Sequence, residues 1–347
     1  MTMYQHHVTT FFILSGFYAV WKYSRQRHYS WIWGVGVWLN YGLALLIDYP
    51  NGFLMLPVML YFFLSAWNVY KTDNVVTFSF RVSFLLTSVL FVLVTAWHGY
   101  FNYTHFGSPL KVSGSITGYK DIKEKKLLEK KGGQEEIKKI SEKKGPVSFF
   151  KEENVINGMN TLLFSSDRGL LFYSPIFFLA FLGILFSLGT ISTEKTVLLS
   201  LIGANFFLYS SWGDPWGGYA YGPRYLIPSM AMLSLFIPVW ITKARHTISA
   251  KLITALLFIY SAAIALLGVL TTNAVPPKIE AIYFHVPYNY LVNIRYLLDN
   301  KSSSFLYNYV FKHTVSLTDY YWILLGTVLF IFLFILFILP RIDKHEN

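Results

Sequence analysis

The stretch Leu252-Ile-Thr-Ala-Leu-Leu-Phe-Ile-Tyr-Ser-Ala-Ala-Ile-Ala-Leu-Leu-Gly-Val-Leu-Thr-Thr272 contains no charged side chain. As a helix it would be about 30 Å long, which matches the hydrocarbon thickness of a bilayer. Eight further apolar blocks of similar length occur along the chain. The predicted membrane spans are therefore 8–22, 31–48, 51–66, 82–103, 170–190, 196–212, 225–241, 252–272 and 319–339.

Composition supports the same fold class. The chain is 54% apolar, 19% aromatic and only 14% charged, whereas charged residues make up about 25% of an ordinary soluble domain. We predict an all-α integral membrane protein with about nine transmembrane helices, short cytoplasmic loops and two long outer-face loops. The chain has no cysteine, which excludes disulfides and thiolate metal sites.

The net charge of +11 is not a signal for nucleic acid. Lysine and arginine lie mostly in the connectors, where basic residues beside membrane helices have a topological cause. We therefore expect membrane lipid as a partner and no nucleic acid. Neither a glycine-rich phosphate loop, a His-Glu-x-x-His pattern nor a nucleophile elbow is present in the sequence.

Basic residues divide the connectors into two alternating sets. One set is basic, with Lys22, Arg25, Arg27, Lys71, Arg81, Lys195, Lys243, Arg245, Lys251, Arg341 and Lys344. The other set consists of two short turns, near Pro50 and at 213–224, and the long loops 104–169 and 273–318. The positive-inside rule places the basic set in the cytoplasm. This predicts a multi-pass protein of the cell (plasma) membrane, with the N-terminus outside and the C-terminus cytoplasmic.

An outside N-terminus has two explanations. A short N-terminal tail can be translocated by a reverse signal-anchor, or an odd number of helices can be missing upstream. The predicted organisation is 1–103 with membrane helices one to four, 104–169 as an outer-face loop, 170–272 with helices five to eight, 273–318 as a second outer-face loop, and 319–347 with the last membrane helix and a cytoplasmic tail.

The first long loop contains a lysine- and glutamate-rich insertion from Lys120 to Glu153. Its apolar residues on either side of Gly132-Gly133 suggest two short amphipathic helices. It is either a solvated surface insertion or a basic face lying on anionic lipid. The second long loop is expected to be a folded element that packs on the membrane domain.

The connector Tyr209-Ser-Ser-Trp-Gly-Asp-Pro-Trp-Gly-Gly-Tyr-Ala-Tyr-Gly-Pro-Arg-Tyr-Leu-Ile-Pro228 is the strongest indication of function. A connector that only had to reverse the chain would not need Asp214, Arg224 and several aromatic rings. Aromatic faces suit a pyranose ring, and a carboxylate and a guanidinium suit hydroxyls and phosphate. The sequence therefore predicts a sugar site in this connector.

Other polar residues near the spans leave alternatives open. Ser165 or Ser166 could cap the helix that follows, and Asp167 would suit its N-terminal dipole. Arg168 is unfavourable at a helix start unless an anion is near, and phosphate, Asp167 or Asp214 could supply it. Asp48 can stay hydrated at its turn. His98 and Asn40 lie inside spans, where such residues more often satisfy neighbouring helices than bind a ligand.

Three segments carry a resemblance to one family. They are Asn102-Tyr-x-x-Phe-Gly-Ser-Pro-Leu110, the Ser-x-x-Arg-Gly-Leu-Leu-x-Tyr-Ser-Pro run at 165–175, and Trp212-x-Asp-x-x-Gly-Gly-x-x-x-Gly-Pro-Arg-Tyr-Leu226. They resemble the second half of family 39-like glycosyltransferases. These belong to the C-type superfamily and are related to protein mannosyltransferases and aminoarabinose transferases. Tyr4-Gln-His-His-Val-Thr-Thr10 and Leu46-Ile-Asp-Tyr-Pro50 are similar to the corresponding stretches.

The resemblance implies transfer of a sugar from a polyprenyl-phosphate carrier to an acceptor at the outer membrane face, in the cell envelope. An acidic residue would remove the acceptor proton, and basic groups would stabilise the departing phosphate. On that pattern Arg224 and Arg168 hold phosphate, and Asp214 binds a sugar hydroxyl or orients Arg224. Trp212, Trp216 and Tyr225 line the sugar or prenyl path. No cofactor beyond the lipid-linked donor is implied, and a divalent metal has no support in the sequence.

The departures from the family pattern limit this reading. The family's catalytic acid lies in its first outer loop, and nothing here matches that segment. The chain begins where the family's fourth span would start. We therefore expect a truncated or split product that lacks about three helices, for which a separately encoded N-terminal half is one explanation, and no catalytic residue is assigned. His105 stands where a basic residue is usual, and Pro215-Trp216 replaces a common Trp-His pair.

The sequence is compatible with an enzyme and with two non-catalytic proteins. Completed by such a segment, it would be a hexosyl- or pentosyltransferase. The alternatives are a non-catalytic membrane protein that binds or transports lipid-linked sugar, and an inactive remnant.

Overall fold

The computed structural model describes residues 5–26, 28–72, 75–110, 150–151, 154–190, 192–244 and 247–337. The described chain is helical apart from one hairpin and an isolated bridge. It divides into two compact units. The N-terminal unit consists of Val8–Val155 with Ser211–Gly213, and the C-terminal unit of Met1–His7, Ile156–Ser210 and Asp214–Asn347. The Lys120–Glu153 insertion, with its predicted amphipathic helices, falls outside the described residues except at Phe150 and Lys151.

The elements of the first part of the chain are α1 (Gln5–Arg25), α2 (Ser30–Ile47), α3 (Asn51–Leu54), α4 (Leu56–Ser65), β1 (Trp67–Thr72), β2 (Val75–Phe80), α5 (Ser83–Leu86) and α6 (Val89–Phe106). Helix α2 approaches the 83–106 segment closely because glycines lie at the contacts. A Cβ at Gly34 would lie 2.8 Å from Oγ1 of Thr87, which follows α5, and one at Gly42 would lie 3.1 Å from Val94 Cγ1 of α6. Small residues at contacts are how membrane helices pack closely.

The β1–β2 hairpin occupies the predicted connector between the spans 51–66 and 82–103, for which the sequence predicted no strand. The two strands pair antiparallel from Trp67↔Phe80 to Thr72↔Val75. β-Branched and aromatic residues are frequent in both strands, and they favour extended backbone. Arg81 follows the hairpin and donates from Nη1 to the Tyr23 carbonyl at 2.9 Å, which ties the hairpin's end to α1.

The C-terminal unit contains most of the remaining elements. They are α7 (Val155–Phe164), α8 (Leu170–Tyr173), α9 (Phe177–Ser187), α10 (Thr193–Ser210), α11 (Ile227–Ser234), α12 (Ile237–Ala244), α13 (Ile248–Leu270), α14 (Lys278–Tyr283), α15 (Leu291–Leu298) and α16 (Leu317–Phe337). Short 3₁₀ turns occupy Leu188–Thr190 and Arg224–Leu226, and a π turn occupies Tyr307–Phe311.

Prolines break three of the predicted spans. Span 51–66 is two helices that meet at Met55, with Pro57 in the first turn of α4. Span 170–190 is broken between α8 and α9 at Pro175, and span 225–241 between α11 and α12, where Pro238 is the second residue of α12. Proline has no N–H for the helical ladder, so it starts a helix well but interrupts a continuing one.

Five helical segments among the described residues are long and apolar enough to cross a membrane. They are Ser30–Ile47, Ser83–Phe106, Arg224–Ala244, Ile248–Leu270 and Leu317–Leu336. Shorter apolar helices occupy Leu56–Ser65, Val155–Phe164 and Phe177–Thr190. The predicted all-α, multi-pass membrane architecture is confirmed, with one hairpin added. The count of nine spans stays a prediction.

The second predicted loop, 273–318, contains α14, α15 and the π turn, which together form a folded element. Tyr307 is buried with Leu267 and Leu270 of α13 and with Tyr320 and Tyr321 of α16. Its hydroxyl donates to the Val315 carbonyl at 3.1 Å. These tyrosines are therefore packed inside the unit and belong to its core.

Candidate functional site

A cavity of about 250 Å³ lies inside the C-terminal unit. Much of its lining is apolar and comes from the membrane helices, with Ile227 and Met230 of α11 and Ile264, Ala265, Gly268 and Val269 of α13. Its polar lining residues include His7, Arg224, Asn273 and Ser303. The cavity thus combines a cation with an apolar lining, which suits an amphipathic anion.

The loop Asp214–Pro223 reaches the cavity through a tight turn at its start. Gly217 N donates to the Asp214 carbonyl at 3.2 Å, and Gly218 N donates to Asp214 Oδ2 at 3.1 Å. Gly217 and Gly218 have φ of +70° and +61°, a region that side chains other than glycine rarely adopt. The exposed Asp214 carboxylate therefore closes this turn, as aspartate commonly does.

The buried guanidinium of Arg168 forms hydrogen bonds to the same turn. Arg168 is 1% exposed. Its Nε donates to the Trp216 carbonyl at 2.8 Å, and Nη2 donates to the carbonyls of Gly218 at 2.9 Å and Val275 at 3.1 Å. Nη1 donates to the Asp167 carbonyl at 2.7 Å. Four backbone carbonyls thus occupy a guanidinium for which the sequence predicted phosphate. Its geometry is that of a residue that fixes the two loops, 214–223 and 271–277.

Arg224 is the predicted site residue that lines the cavity. It is half-buried, and its guanidinium carbon lies 5.2 Å from the centre of the Tyr225 ring. A Cβ at Gly217 would lie 2.8 Å from Arg224 Nε, so this arginine can pack here only because residue 217 lacks a side chain. Arg168, Asp214 and Arg224 thus all contact residues 216–218, each through different atoms, and of the three Arg224 is a cavity-lining residue.

A cluster of rings supports Arg224. Tyr209 and Tyr225 stack with their centroids 4.4 Å apart, and His6 meets both edge-on at 5.6 and 5.3 Å. His6 is buried, and it lies ahead of the predicted span 8–22. Burial, then the Arg224 cation and His7, lower the pKa of His6 to about 4. The imidazole is therefore neutral at pH 7 and does not repel Arg224.

Asn205 anchors the segment that carries Arg224. This fully buried residue of α10 donates from Nδ2 to the Tyr225 carbonyl at 3.2 Å. Its Oδ1 accepts from Ser229 Oγ at 2.6 Å and from Ser229 N at 3.3 Å. One amide thus fixes both sides of the turn between the connector and α11.

Tyr221 packs against the apolar lining. Its ring lies where a side chain at Gly268 would be, and its hydroxyl donates to the Ile264 carbonyl at 2.5 Å. Burial raises the pKa of Tyr221 well above its usual value, so the hydroxyl keeps its proton for this bond. Tyr173 meets the Tyr221 ring edge-on at 5.1 Å and lines the cavity too.

The predicted helix cap at 165–167 is not the one that the structure has. The first residue of α8 is Leu170, and its N-cap is Gly169, without a side-chain cap. Ser165 Oγ instead accepts from Arg168 N at 3.1 Å and donates to Asp167 Oδ1 at 2.7 Å. A Cβ at Gly169 would overlap the backbone of Ser165. Ser165 Oγ therefore makes these hydrogen bonds within the compact turn at 165–169 and does not cap the helix.

The remaining predicted residues lie elsewhere. Trp212 belongs to the N-terminal unit, where its ring meets Phe150 edge-on at 5.3 Å. His105 is exposed in the same unit and stacks on Phe101 with centroids 4.1 Å apart. Trp216 is half-buried in the C-terminal unit and contributes its carbonyl to Arg168. All eight predicted residues are described, and of these Arg224 is among the cavity-lining residues.

Sequence reasoning missed several residues of this site. His6, His7 and Tyr173 had entered only as letters of the resemblance, and Tyr209 and Tyr221 only as aromatic residues of the connector. Asn205 had a signal of its own, since a lone amide inside a predicted span needs partners. No group of three or more His, Cys, Asp or Glu that could hold a metal occurs in the described ranges.

Comparison with known proteins gives one family. The family described as "Dolichyl-phosphate-mannose-protein mannosyltransferase" matches residues 7–108. No curated protein and no solved structure matches the chain. The matched region includes the 46–50 and 102–108 segments and most of the N-terminal unit, whereas the cavity with Arg224 lies almost entirely outside it. The match and the apolar helices support a multi-pass membrane protein with a glycosyltransferase-like role, similar over residues 7–108 to this family of membrane mannosyltransferases.

Proposed function

We propose that this chain serves a membrane glycosyltransferase that takes sugar from a polyprenyl-phosphate carrier, and that the cavity of the C-terminal unit holds the carrier's phosphate. The observation that carries the proposal is Arg224, a cation in the lining of a cavity whose other lining residues are largely apolar. A prenyl phosphate has the matching chemistry, an anion directly joined to hydrocarbon.

The phosphate is assigned to Arg224. A guanidinium can bind two phosphate oxygens at once and keeps its charge at any working pH. When the sugar leaves, the phosphate gains negative charge, so a cation beside it is more stabilising in the transition state than before. His7 lines the cavity too and is assigned as a second polar contact for the head group.

The apolar lining is assigned to the start of the prenyl chain. Ile227, Ile264 and Val269 present hydrocarbon along α11 and α13, and both helices lie in segments long enough to cross a membrane. At about 250 Å³ the cavity suits a head group and the first part of its chain. The rest of the carrier would lie in the bilayer.

Arg168 is assigned a positioning role instead of a phosphate contact. Its bonds to the carbonyls of Trp216, Gly218 and Val275 fix the turn on which Arg224 packs. Asp214 has a related role through Gly218 N, and no ion pair joins Asp214 to Arg224 within the described structure.

The acid that activates the acceptor is assigned to another segment. The cavity-lining residues that the structure describes include no carboxylate. The resemblance places the acid in a loop that this sequence does not match, so we propose that a further segment, in this protein or in a partner, supplies it. The sugar and the acceptor remain unassigned.

The orientation belongs to the same proposal. The charge distribution between connectors places 213–224 at the outer face of the cell membrane, with the C-terminus in the cytoplasm. Because the chain has no cysteine, a single Tyr219→Cys variant can be labelled at one site, and Tyr219 is exposed. An impermeant maleimide should label it in intact cells. Labelling only after the cells are opened would overturn the outer-face site.

Binding of farnesyl phosphate to the purified full chain in nanodiscs tests the phosphate site. Arg224→Ala should lower the affinity at least tenfold, since charged hydrogen bonds contribute about 1.5–3 kcal/mol. The matched control is Arg295→Ala, which removes an exposed arginine of α15. Equal affinities for wild type and Arg224→Ala would remove the phosphate role.

A non-catalytic protein that binds or carries lipid-linked sugar would pass the same binding test. Transfer separates the two functions. With the segment that supplies the acid present, an enzyme should release sugar from its carrier in an Arg224-dependent manner. A binding protein, or an inactive remnant, should release none.

A further inference from the structure

The N-terminal unit contains a second cavity, which the proposed function does not use. Its volume is about 660 Å³, and it lies between the end of α2, α6 and Pro109-Leu110. Leu46 and Tyr49 line it from one side and Asn102 from another. Two sequence segments about fifty residues apart, 46–50 and 102–110, therefore meet at one cavity.

His98 and Asn102 contribute neighbouring polar side chains to this cavity. Both line the cavity, and both lie in Ser83–Phe106, a segment apolar and long enough to cross a membrane. An ionisable residue inside such a segment is a functional-site hypothesis by default. Asn102 is 5% exposed. Its Nδ2 lies 3.2 Å from His98 Nε2 and donates to the Pro109 carbonyl at 3.3 Å.

This geometry leaves one donor and one acceptor. An amide nitrogen only donates, so His98 Nε2 is the acceptor and the other ring nitrogen, Nδ1, carries the N–H. In the described structure, neither His98 Nδ1 nor Asn102 Oδ1 has a hydrogen-bond partner. A donor next to an acceptor complements a hydroxyl, which accepts one bond and donates another.

The remaining lining indicates a neutral ligand with a chain. The residues that line the cavity include no Lys, Arg, Asp or Glu, and most are apolar, among them Leu46, Val92 and Ala96. Val92 is 58% exposed on a helix that can cross the membrane, so this side opens toward hydrocarbon. An anion would lack a counter-charge here.

We propose that the N-terminal unit binds a neutral lipid with a hydroxyl head group in this cavity. The hydroxyl lies at His98 and Asn102, and the chain runs along Val92 and Ala96. The inference rests on this cavity alone and does not depend on the phosphate site at Arg224.

Photo-crosslinking of the full chain in nanodiscs tests the proposal. The probe is a diazirine analogue of farnesol, and the labelled peptides are identified by mass spectrometry. We expect labels within 88–110. Ala96→Trp should fill the cavity and reduce this labelling at least tenfold. Leu93→Trp, which adds the same ring to an exposed position of α6 outside the lining, should leave it unchanged.

A second variant keeps the test decisive if Ala96→Trp does not fold. His98→Phe removes the donor and keeps a ring of similar size. It should weaken farnesol binding about tenfold, as expected for one lost hydrogen bond, and leave a probe of the same chain without the hydroxyl unaffected. Equal effects on both probes would show that the hydroxyl is not recognised. Equal loss with Leu93→Trp, or competition by farnesyl phosphate as strong as by farnesol, would overturn the site.

Discussion

Arg168 Nε donates to the carbonyl oxygen of Trp216 across 2.8 Å, and the same guanidinium reaches the Gly218 carbonyl at 2.9 Å. The residue between them, Gly217, is the one against which Arg224 packs. The position of the cavity's cation is thus set by a second, buried arginine that does not line the cavity.

Arg168→Lys should separate positioning from anion binding. One ammonium cannot reproduce a planar fork that meets the carbonyls of Trp216, Gly218 and Val275 together. We expect a loss of about 2–4 kcal/mol in unfolding free energy, because buried carbonyls lose their donors. Thermal unfolding in detergent measures it. Arg295→Lys, at an exposed position, should be neutral, and a neutral Arg168→Lys would contradict the positioning role.

Gly217→Ala should displace Arg224. Its Cβ would lie 2.8 Å from Arg224 Nε and 3.1 Å from Tyr225 Cε2 at a φ of +70°. Gly218→Ala is the matched control, with a φ of +61° and nothing within 4 Å of its Cβ. Both variants carry backbone strain, of order 1 kcal/mol. Farnesyl phosphate affinity should fall severalfold further in Gly217→Ala, and equal affinities would show that the Gly217–Arg224 contact is irrelevant to binding.

The sequence predicted the membrane helices because their signal is local. A long run without charge, such as 252–272, is typical of a membrane-spanning helix. The breaks at Pro57, Pro175 and Pro238 were visible as letters, but hydropathy averaged over a window does not register a missing N–H. The hairpin at 67–80 was not predicted because its two strands are only six residues each, and Lys71 and Arg81 mark the segment as a connector.

The site was less predictable because it depends on partners. The sequence showed that Arg168 and Arg224 are cations near one connector. In the structure Arg168 bonds the carbonyls of Trp216 and Gly218, and Arg224 packs on the glycine between them. The sequence did not show that the Arg168 guanidinium would donate to backbone carbonyls 48 to 107 positions away along the chain. His6 likewise lies far along the chain from Tyr209 and Tyr225, and only the fold brings these rings together.

Asn205 and Ser229 should be strongly coupled. Ser229 donates to Asn205 Oδ1 from both Oγ and N, while Asn205 Nδ2 serves the Tyr225 carbonyl. Asn205→Leu should cost about 1–3 kcal/mol by leaving buried groups unpaired. Ser229→Ala should cost less, and the double variant should show a coupling of about 0.5 kcal/mol or more. Strict additivity would mean that the two residues act independently.

Stability should depend on pH through His6. Its folded pKa of about 4 lies below the ordinary value of 6.5, so the unfolded chain takes up a proton first as pH falls. Stability is unaffected above pH 6.5 and falls between pH 6.5 and 4, by about 3 kcal/mol in total at most. Neutral conditions therefore favour the fold.

His6→Phe is the control for this pH dependence. It keeps a ring against Tyr209 and Tyr225 but cannot bind a proton. Unfolding curves of both proteins are measured at several pH values. The unfolding free energy of wild type minus that of His6→Phe should decrease as pH falls, because only wild type has the unfolded-state proton uptake at residue 6. Parallel curves would assign the acid sensitivity to other groups.

Substitutions of Asp214 can distinguish a role of its negative charge from a role in closing the turn. Its carboxylate accepts from Gly218 N at 3.1 Å, an interaction that an asparagine side-chain oxygen can also make. If Asp214 acts by closing the turn, Asp214→Asn should keep farnesyl phosphate affinity within about twofold, whereas Asp214→Ala should lower it, each hydrogen bond being worth about 1 kcal/mol. If the negative charge itself binds a sugar hydroxyl or orients Arg224, Asn and Ala should be equally damaging. The measurement therefore decides whether this carboxylate belongs to the chemistry of the site or to the loop that presents Arg224.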